Sequence, residues 1–364
     1  MVSATEQVTD PVAAVGDRIF GSILGGMEVL SIAIGDHLGY YRSLDGHDLT
    51  CEALAATTGC SERYTLEWLE QQAVYGLLDV TSDDNADASQ RRFRLSPGVP
   101  EILARPDHLS TLAPVARLVT AAGAHWRDIA EGGRTGNGLG WESYGEDMRD
   151  SQADANAPVL RRLLPEWIGE GLPALRARMA AGELVLVADV GCGAGWASIG
   201  LTESFPGVTS HAYDVDPSTV DLARTTVAET GMGDRITVFD QDIGQDLPDE
   251  SYDLVMAIEC IHDMPHPVPV LAAMRQMAGP DGDVIVIDEK VADAFTAPGD
   301  DLERLMYGFS ILVCLPDGMS GNPTGATGTV MRRSKLAEYA QEAGFAAVEV
   351  LPVETDLWRV YRLS

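Results

Sequence analysis

From residue 184 onward, short runs rich in β-branched residues alternate with helical patterns. The runs fall at 184–190, 208–213, 235–239, 252–258 and 284–287, with helices legible between them, for example at 218–229 and 268–278. Such alternation predicts an α/β fold, a parallel sheet covered by helices on both faces. Two further runs, at 345–351 and 358–363, predict a closing antiparallel addition to that Rossmann-like sheet.

The chain ahead of this region reads differently. Residues 1–15 resemble a frayed tail, and 16–44 carry a helical pattern through Ile19, Ile23, Met27, Leu30 and Ile34. Phe20, Leu24, Val29 and Ile32 extend the apolar surface around that helix, which predicts burial on several sides, as at a subunit interface. The apolar stretch 19–35 is broken by Glu28 and flanked by Asp17, Arg18 and Asp36, and reads as too short and too charged to span a bilayer. Thr50 then caps a helix to about Ala56, and Ser61 caps another to Tyr75. Short strands at 77–81 and 92–95 follow, joined by a polar loop from Ser82 to Asp87. Helix, turn, helix, hairpin is the winged-helix pattern, so a mainly helical winged-helix domain is expected over residues 1–105.

Residues 106–180 predict a helical connector and 181–364 the α/β domain. The connector is interrupted by Gly132-Gly133-Arg134-Thr135-Gly136-Asn137-Gly138-Leu139-Gly140. No strand precedes this stretch, so a flexible link is expected there in place of a phosphate cradle. Trp141, Tyr144 and Met148 behind it are candidate pocket residues.

Charge narrows the partners. There are 56 acidic and 25 basic residues, a net charge of -31, and Lys290 and Lys335 are the only lysines. Binding to phosphate backbones rests on Lys and Arg, so nucleic acid is a poor partner. The helix that would read DNA carries Glu62, Glu67 and Glu70 against Arg63, leaving dimerisation as its expected role. The five cysteines form no C-x-x-C pair, which predicts reduced thiols and no zinc site; no metal is expected. The N-terminus lacks the basic start of a signal peptide, and a cytoplasmic location without membrane attachment is the expectation.

The first α/β strand ends in Asp189-Val190-Gly191-Cys192-Gly193-Ala194-Gly195, ahead of a helix. Glycines there allow a tight turn and bring backbone amides close to a ligand. Trp196 stands where a dinucleotide fingerprint wants glycine, and Asp189 would repel pyrophosphate while suiting a cationic amino-acid group. Asp214 ends the second strand 23 positions after Gly191, placed to accept ribose hydroxyls, with Asp216 as a competitor.

These residues, with Tyr213-Asp214-Val215-Asp216, Asp240-Gln241-Asp242-Ile243 and the strand at Asp253, make residues 184–364 resemble the class I S-adenosylmethionine-dependent methyltransferases. The resemblance implies cofactor contacts at Asp189, Gly191, Cys192, Gly193, Gly195, Asp214, Val215, Asp242, Ile243 and Glu259. With the N-terminal module, the chain is similar to small-molecule O-methyltransferases, which dimerise through that module. The segment Glu259-Cys260-Ile261-His262-Asp263-Met264 resembles their His-Asp-Trp segment, implying His262 as general base with Glu259 or Asp263 orienting it. Met264 replaces the Trp; the family's following acid corresponds to Asp288 or Glu289, and its second acid falls at Thr329-Val330-Met331. An insertion at 300–320, with Met306, Tyr307, Phe309 and Ser310, predicts an apolar lid over the acceptor. The expected reaction is methyl transfer to a hydroxyl of an aromatic or lipophilic metabolite of secondary metabolism, by a homodimer. Proximity-driven N- or C-methylation, a cofactor-retaining isomerase or cyclase, and a small-molecule-sensing regulator are the alternatives.

Overall fold

The computed structural model describes residues 10–82 and 87–364, so residues 1–9 of the expected tail and most of the acidic loop after Ser82 lie outside the described residues. The chain divides into two compact units, one ending at Thr120 and one spanning Ala121–Ser364.

In the first unit the helix Pro11–His37 begins five residues earlier than its apolar pattern suggests. The Asp10 carboxylate accepts the Val12 N–H, and Pro11 occupies the first helical position, where its missing N–H costs nothing. The helix ends at Gly39, whose φ of +72° turns the chain into the separate helix Tyr40–Leu44. The expected single helix over 16–44 is therefore two. Ile19, Phe20, Ile23, Leu24, Met27, Leu30 and Ile34 all stand exposed on this chain. At 27 residues the helix is long and apolar enough to cross a membrane by length and composition, which corrects the reading of 19–35 as too short.

Strand β1 (Leu49–Thr50) leads into the helix Cys51–Thr58, capped by the Thr50 hydroxyl and closed at Gly59. Ser61 precedes the helix Glu62–Val74, and β2 (Leu78–Val80) then pairs antiparallel with β3 (Arg92–Leu95), with β1 on the far side of β3. The helix–turn–helix–hairpin order is present. Tyr40, Tyr41, Leu54, Trp68, Leu69 and Phe93 form the core of this unit.

The second unit is built on β4 (Val185–Val190), β5 (Val208–Asp214), β6 (Ile236–Asp240), β7 (Leu254–Ile258), β8 (Asp283–Glu289), β9 (Val348–Val350) and β10 (Trp358–Leu363). Their order is β6-β5-β4-β7-β8-β10-β9, with β6 to β8 parallel and β10 antiparallel to both its neighbours. Successive side chains of a strand point to opposite faces, and β4 divides accordingly. Val185 and Val187 join Trp167, Ile168 and Leu201 in one core layer; Ala188 and Val190 join Leu271, Met274 and Leu336 in the other. The strand order reverses at β4, so its carboxyl end opens a crevice of the kind where ligands bind.

The glycine-rich stretch departs from expectation. The helix Trp126–Thr135 runs on through Gly132 and Gly133 and stops at Gly136, φ +79°. Beyond it, a Cβ on Gly138 would lie 2.2 Å from the Ser320 backbone nitrogen, and Leu139 N–H donates to the Pro316 carbonyl at 2.8 Å. The stretch is clamped to residues 316–320 and is no flexible link. The expected lid is likewise helical: Asp301–Phe309, started by the Asp300 carboxylate, continues through a wide turn at Ser310–Cys314 into Leu315–Gly318.

Candidate active site

At the end of β4 the chain turns through Gly191, φ +66°, with no room for a side chain: a Cβ would meet Cys260 Sγ at 2.8 Å. Gly193 and Gly195 also have positive φ, and Gly195 opens the helix Trp196–Ser204. Buried Asp189 sits beneath this turn, accepting the Ser198 N–H at 3.2 Å and its hydroxyl at 2.7 Å, with Ser198 also bonded to Ser210. The carboxylate ties the helix start to the sheet, where the positive end of the helix favours it. Cys192 is buried beside it and Val215 is exposed.

Asp214, ending β5, accepts the Gly193 N–H at 3.0 Å and the Asp216 N–H at 3.1 Å. Asp216 is occupied as the cap of the helix Pro217–Glu229, accepting from Ser218 and from the N–H and hydroxyl of Thr219. Asp242 accepts the Gly244 N–H and the Gln245 amide. A small cavity of about 60 Å³ opens here, lined among others by Gly191, Asp214, Asp242, Ile243 and Met264. Burial pushes the carboxyls of Asp189 and Asp214 up to about 6.

The next strand along, β7, is followed by Glu259 with φ +51°, a conformation uncommon for a residue with a side chain. Its carboxylate is strapped from two sides, by the Asn156 amide and the Trp358 indole, each at 2.6 Å. Burial and the neighbouring Glu289 push it up to about 7. His262 follows, only 2% exposed, with Nδ1 at 3.1 Å from both Asp288 oxygens and 3.2 Å from Glu289 Oε2. Burial disfavours the charged ring, but the Glu289 and Asp288 carboxylates outweigh it and hold His262 well above its usual range. With Nδ1–H donated to Asp288, Nε2 is the atom left to accept a proton.

Asp263 and Cys314 bring donor atoms within 4.8 Å of His262 and of each other, as do Asp288 and Glu289. The sequence reading expected no metal site; the fold assembles these two donor sets around one ring. Asp317, on the same helical segment as Cys314, accepts the Trp141 N–H at 3.0 Å and is pushed by burial up to about 7.

The residues expected around the acceptor are mostly engaged in packing. Tyr144 is buried and donates its hydroxyl to the Leu312 carbonyl; Met148 is fully buried. Trp141 donates its indole N–H to Thr219. Met306 and Ser310 are buried, Phe309 is half-buried, and Tyr307 is exposed beside Arg332. None of these seven lines the larger cavity, about 240 Å³, between Trp126–Thr135 with the glycine stretch and residues 311–319. Asn156, Trp358, Cys314 and Asp317 join the site without having been singled out as site residues in the sequence.

A family described as "Methyltransferase domain" matches residues 188–284, the stretch holding the glycine turn, Asp214, Asp242 and His262. The chain carries a methyltransferase domain. The methyltransferase GfsG of Streptomyces halstedii is 33% identical over 115 residues, 31% of this chain and 40% of that protein. The chain spans about 36–40% of the length of the curated relatives it matches. Among solved structures, the mitomycin 7-O-methyltransferase MmcR superposes with a TM-score of 0.71 at 19% identity, covering 96% of this chain and 98% of that one. Human N-acetylserotonin methyltransferase, solved with SAM, superposes at 0.64 and 16% identity over 99% of each chain. These likenesses place the methyltransferase domain in the class I fold.

Proposed function

We propose that this protein transfers the methyl group of S-adenosylmethionine to a hydroxyl of a small aromatic or lipophilic acceptor, with His262 as the base. The observation that carries this reading is His262 itself, a buried imidazole at the carboxyl end of β7 with Nδ1 fixed by Asp288. The cradle fits the cofactor. Among the described residues no Arg or Lys lines the small cavity, which disfavours pyrophosphate, whereas Asp214 and Asp242 offer carboxylates to a ribose and an adenine amine. The Gly193 Cβ position is open space, so a ligand can approach the turn.

When bound, the cofactor would supply an electrophilic sulfonium methyl whose leaving group is a neutral thioether. His262 Nε2 takes the hydroxyl proton, and Asp288 holds the resulting cation in place. Glu259, strapped by Asn156 and Trp358, fixes the strand end from which His262 projects. In the same reading the exposed face of Pro11–His37 belongs to a homodimer interface, and the protein works in the cytoplasm, where its thiols stay reduced.

Calorimetry with S-adenosylmethionine and S-adenosylhomocysteine tests the claim, and no heat from either at millimolar concentration would sink it. His262→Gln should lower turnover by roughly 10²–10⁴-fold while cofactor affinity stays within a few-fold. Unchanged turnover would remove His262 from the base role.

A further inference from the structure

The larger cavity and the charges around it define an acceptor class. One wall is the last turn of the helix Trp126–Thr135 and the chain after it, where Gly132, Gly133 and Gly136 present bare backbone. The other wall is Ile311, Leu315, Pro316 and Met319. A glycine wall facing aliphatic side chains makes a slot that suits a flat ring, and Met319 adds a thioether that packs well on an aromatic face. The slot is pre-formed, because Gly138 and Leu139 are clamped against residues 316–320. At about 240 Å³ it lies below the roughly 300–1,000 Å³ of drug-sized sites, so one or two rings fill it.

The slot adjoins the reaction centre through the chain itself. Leu315 follows Cys314, whose sulfur lies within 4.8 Å of the nearest donor atoms of His262 and Asp263. On the other side of His262 in the sequence, Met264 lines the small cavity at Asp214. Each cavity thus has a lining residue next in the chain to a member of the His262, Asp263 and Cys314 cluster.

The charged side chain that lines the slot is acidic. Asp128 lines it, and its ion-pair contact is His125 at 3.4 Å. The carbonyl end of Trp126–Thr135 faces it and carries partial negative charge. Asp317 follows Pro316 of the wall, and Asp263, Asp288 and Glu289 surround His262. Among the described residues no Arg, Lys or His lines the slot. An anionic group would be desolvated there beside Asp128 and the helix carbonyls, with no cationic side chain in the lining to meet it.

Resting on the methyl-transfer reading, we propose that this slot binds the acceptor, and that the acceptor is a flat one- or two-ring compound that is neutral or bears an amine, carboxylated rings being rejected.

The test uses the full chain saturated with S-adenosylhomocysteine and three probes of one shape: 2-naphthol, 2-naphthylamine and 2-naphthoate. Calorimetry should give 2-naphthol and 2-naphthylamine at least ten-fold tighter binding than 2-naphthoate. Ile311→Trp, which fills the slot, should weaken all three probes at least ten-fold and leave S-adenosylhomocysteine affinity within two-fold. Asp128→Lys should bring 2-naphthoate to within three-fold of 2-naphthol; it changes an exposed position, so it keeps the test open should Ile311→Trp misfold. Equal affinity for the three probes in the native protein, or probe binding untouched by both substitutions, overturns the proposal. S-adenosylhomocysteine is titrated first. Its failure to bind overturns the methyl-transfer reading, and with it the acceptor role; its binding with equal affinity for the three probes overturns the acceptor class alone.

Discussion

Two aspartates two residues apart, Asp214 and Asp216, have unlike tasks, and each can be tested alone. Asp214 bonds the Gly193 amide at the edge of the small cavity, whereas Asp216 spends its oxygens on a helix start. Asp214→Ala removes a charged hydrogen bond worth about 1.5–3 kcal/mol, so S-adenosylhomocysteine should bind roughly 10–100-fold more weakly by calorimetry. Asp216→Ala should instead cost about 0.5–2 kcal/mol of stability in denaturant melts and leave that affinity nearly unchanged. The His262–Asp288 pair predicts a pH profile. A base works only when deprotonated, and the carboxylates hold His262 above its usual range, so kcat/KM should rise with pH through a midpoint above 6.5. Asp288→Asn removes one of those charges and should move the midpoint to lower pH, which a pH–rate series would read directly. A midpoint that stays put would mean that Asp288 does not set the basicity of the ring.

The regular elements were largely legible in the sequence, because parallel strands buried on both faces are near-continuous apolar runs and helices begin at recognisable caps. β4, β5, β6, β7 and β8 fall within two residues of their expected bounds, and Thr50 caps the helix it was expected to cap. The glycine turn and His262 were legible as motifs. Contacts between distant segments were not. Asn156 and Trp358 reach Glu259 across 103 and 99 positions, and no local spacing announces such convergence. The glycine stretch misleads for the same reason: its composition reads as a loop, while its packing partner lies about 180 positions away. Gly138→Ala tests that packing. The added methyl meets the backbone of Pro316, Met319 and Ser320, which cannot rotate away. The cost should be about 1–3 kcal/mol in chemical denaturation, with weaker probe binding in the slot and cofactor affinity preserved. A fully stable Gly138→Ala protein would mean the clamp yields easily.

At the scale of the whole molecule, the buried acids of the second unit act in one direction. Asp189 and Asp214 lie near 6 and Glu259, Glu289 and Asp317 near 7, each raised above its ordinary value by burial, and His262 is raised as well. A group with a raised native pKa contributes stability that is present below its unfolded value and lost as pH climbs through the native one. The ligand-free protein should therefore melt at a higher temperature near pH 5 than near pH 8, with most of the loss between about 4 and 7 for the carboxyls. The net charge of -31 adds self-repulsion in the same sense. Scanning calorimetry across that range would show it, and a melting temperature rising toward pH 8 would contradict it. The sheet order carries a consequence for the making of the protein. β10 follows β9 in the chain yet lies between β8 and β9, bonded to both. While residues 358–363 are still inside the ribosome, β9 has no strand to pair with and β8 shows a bare edge, the kind of surface on which nascent chains stick to one another. Loss of residues 358–363 would leave that edge uncovered for good, so β10 is the strand that seals the sheet.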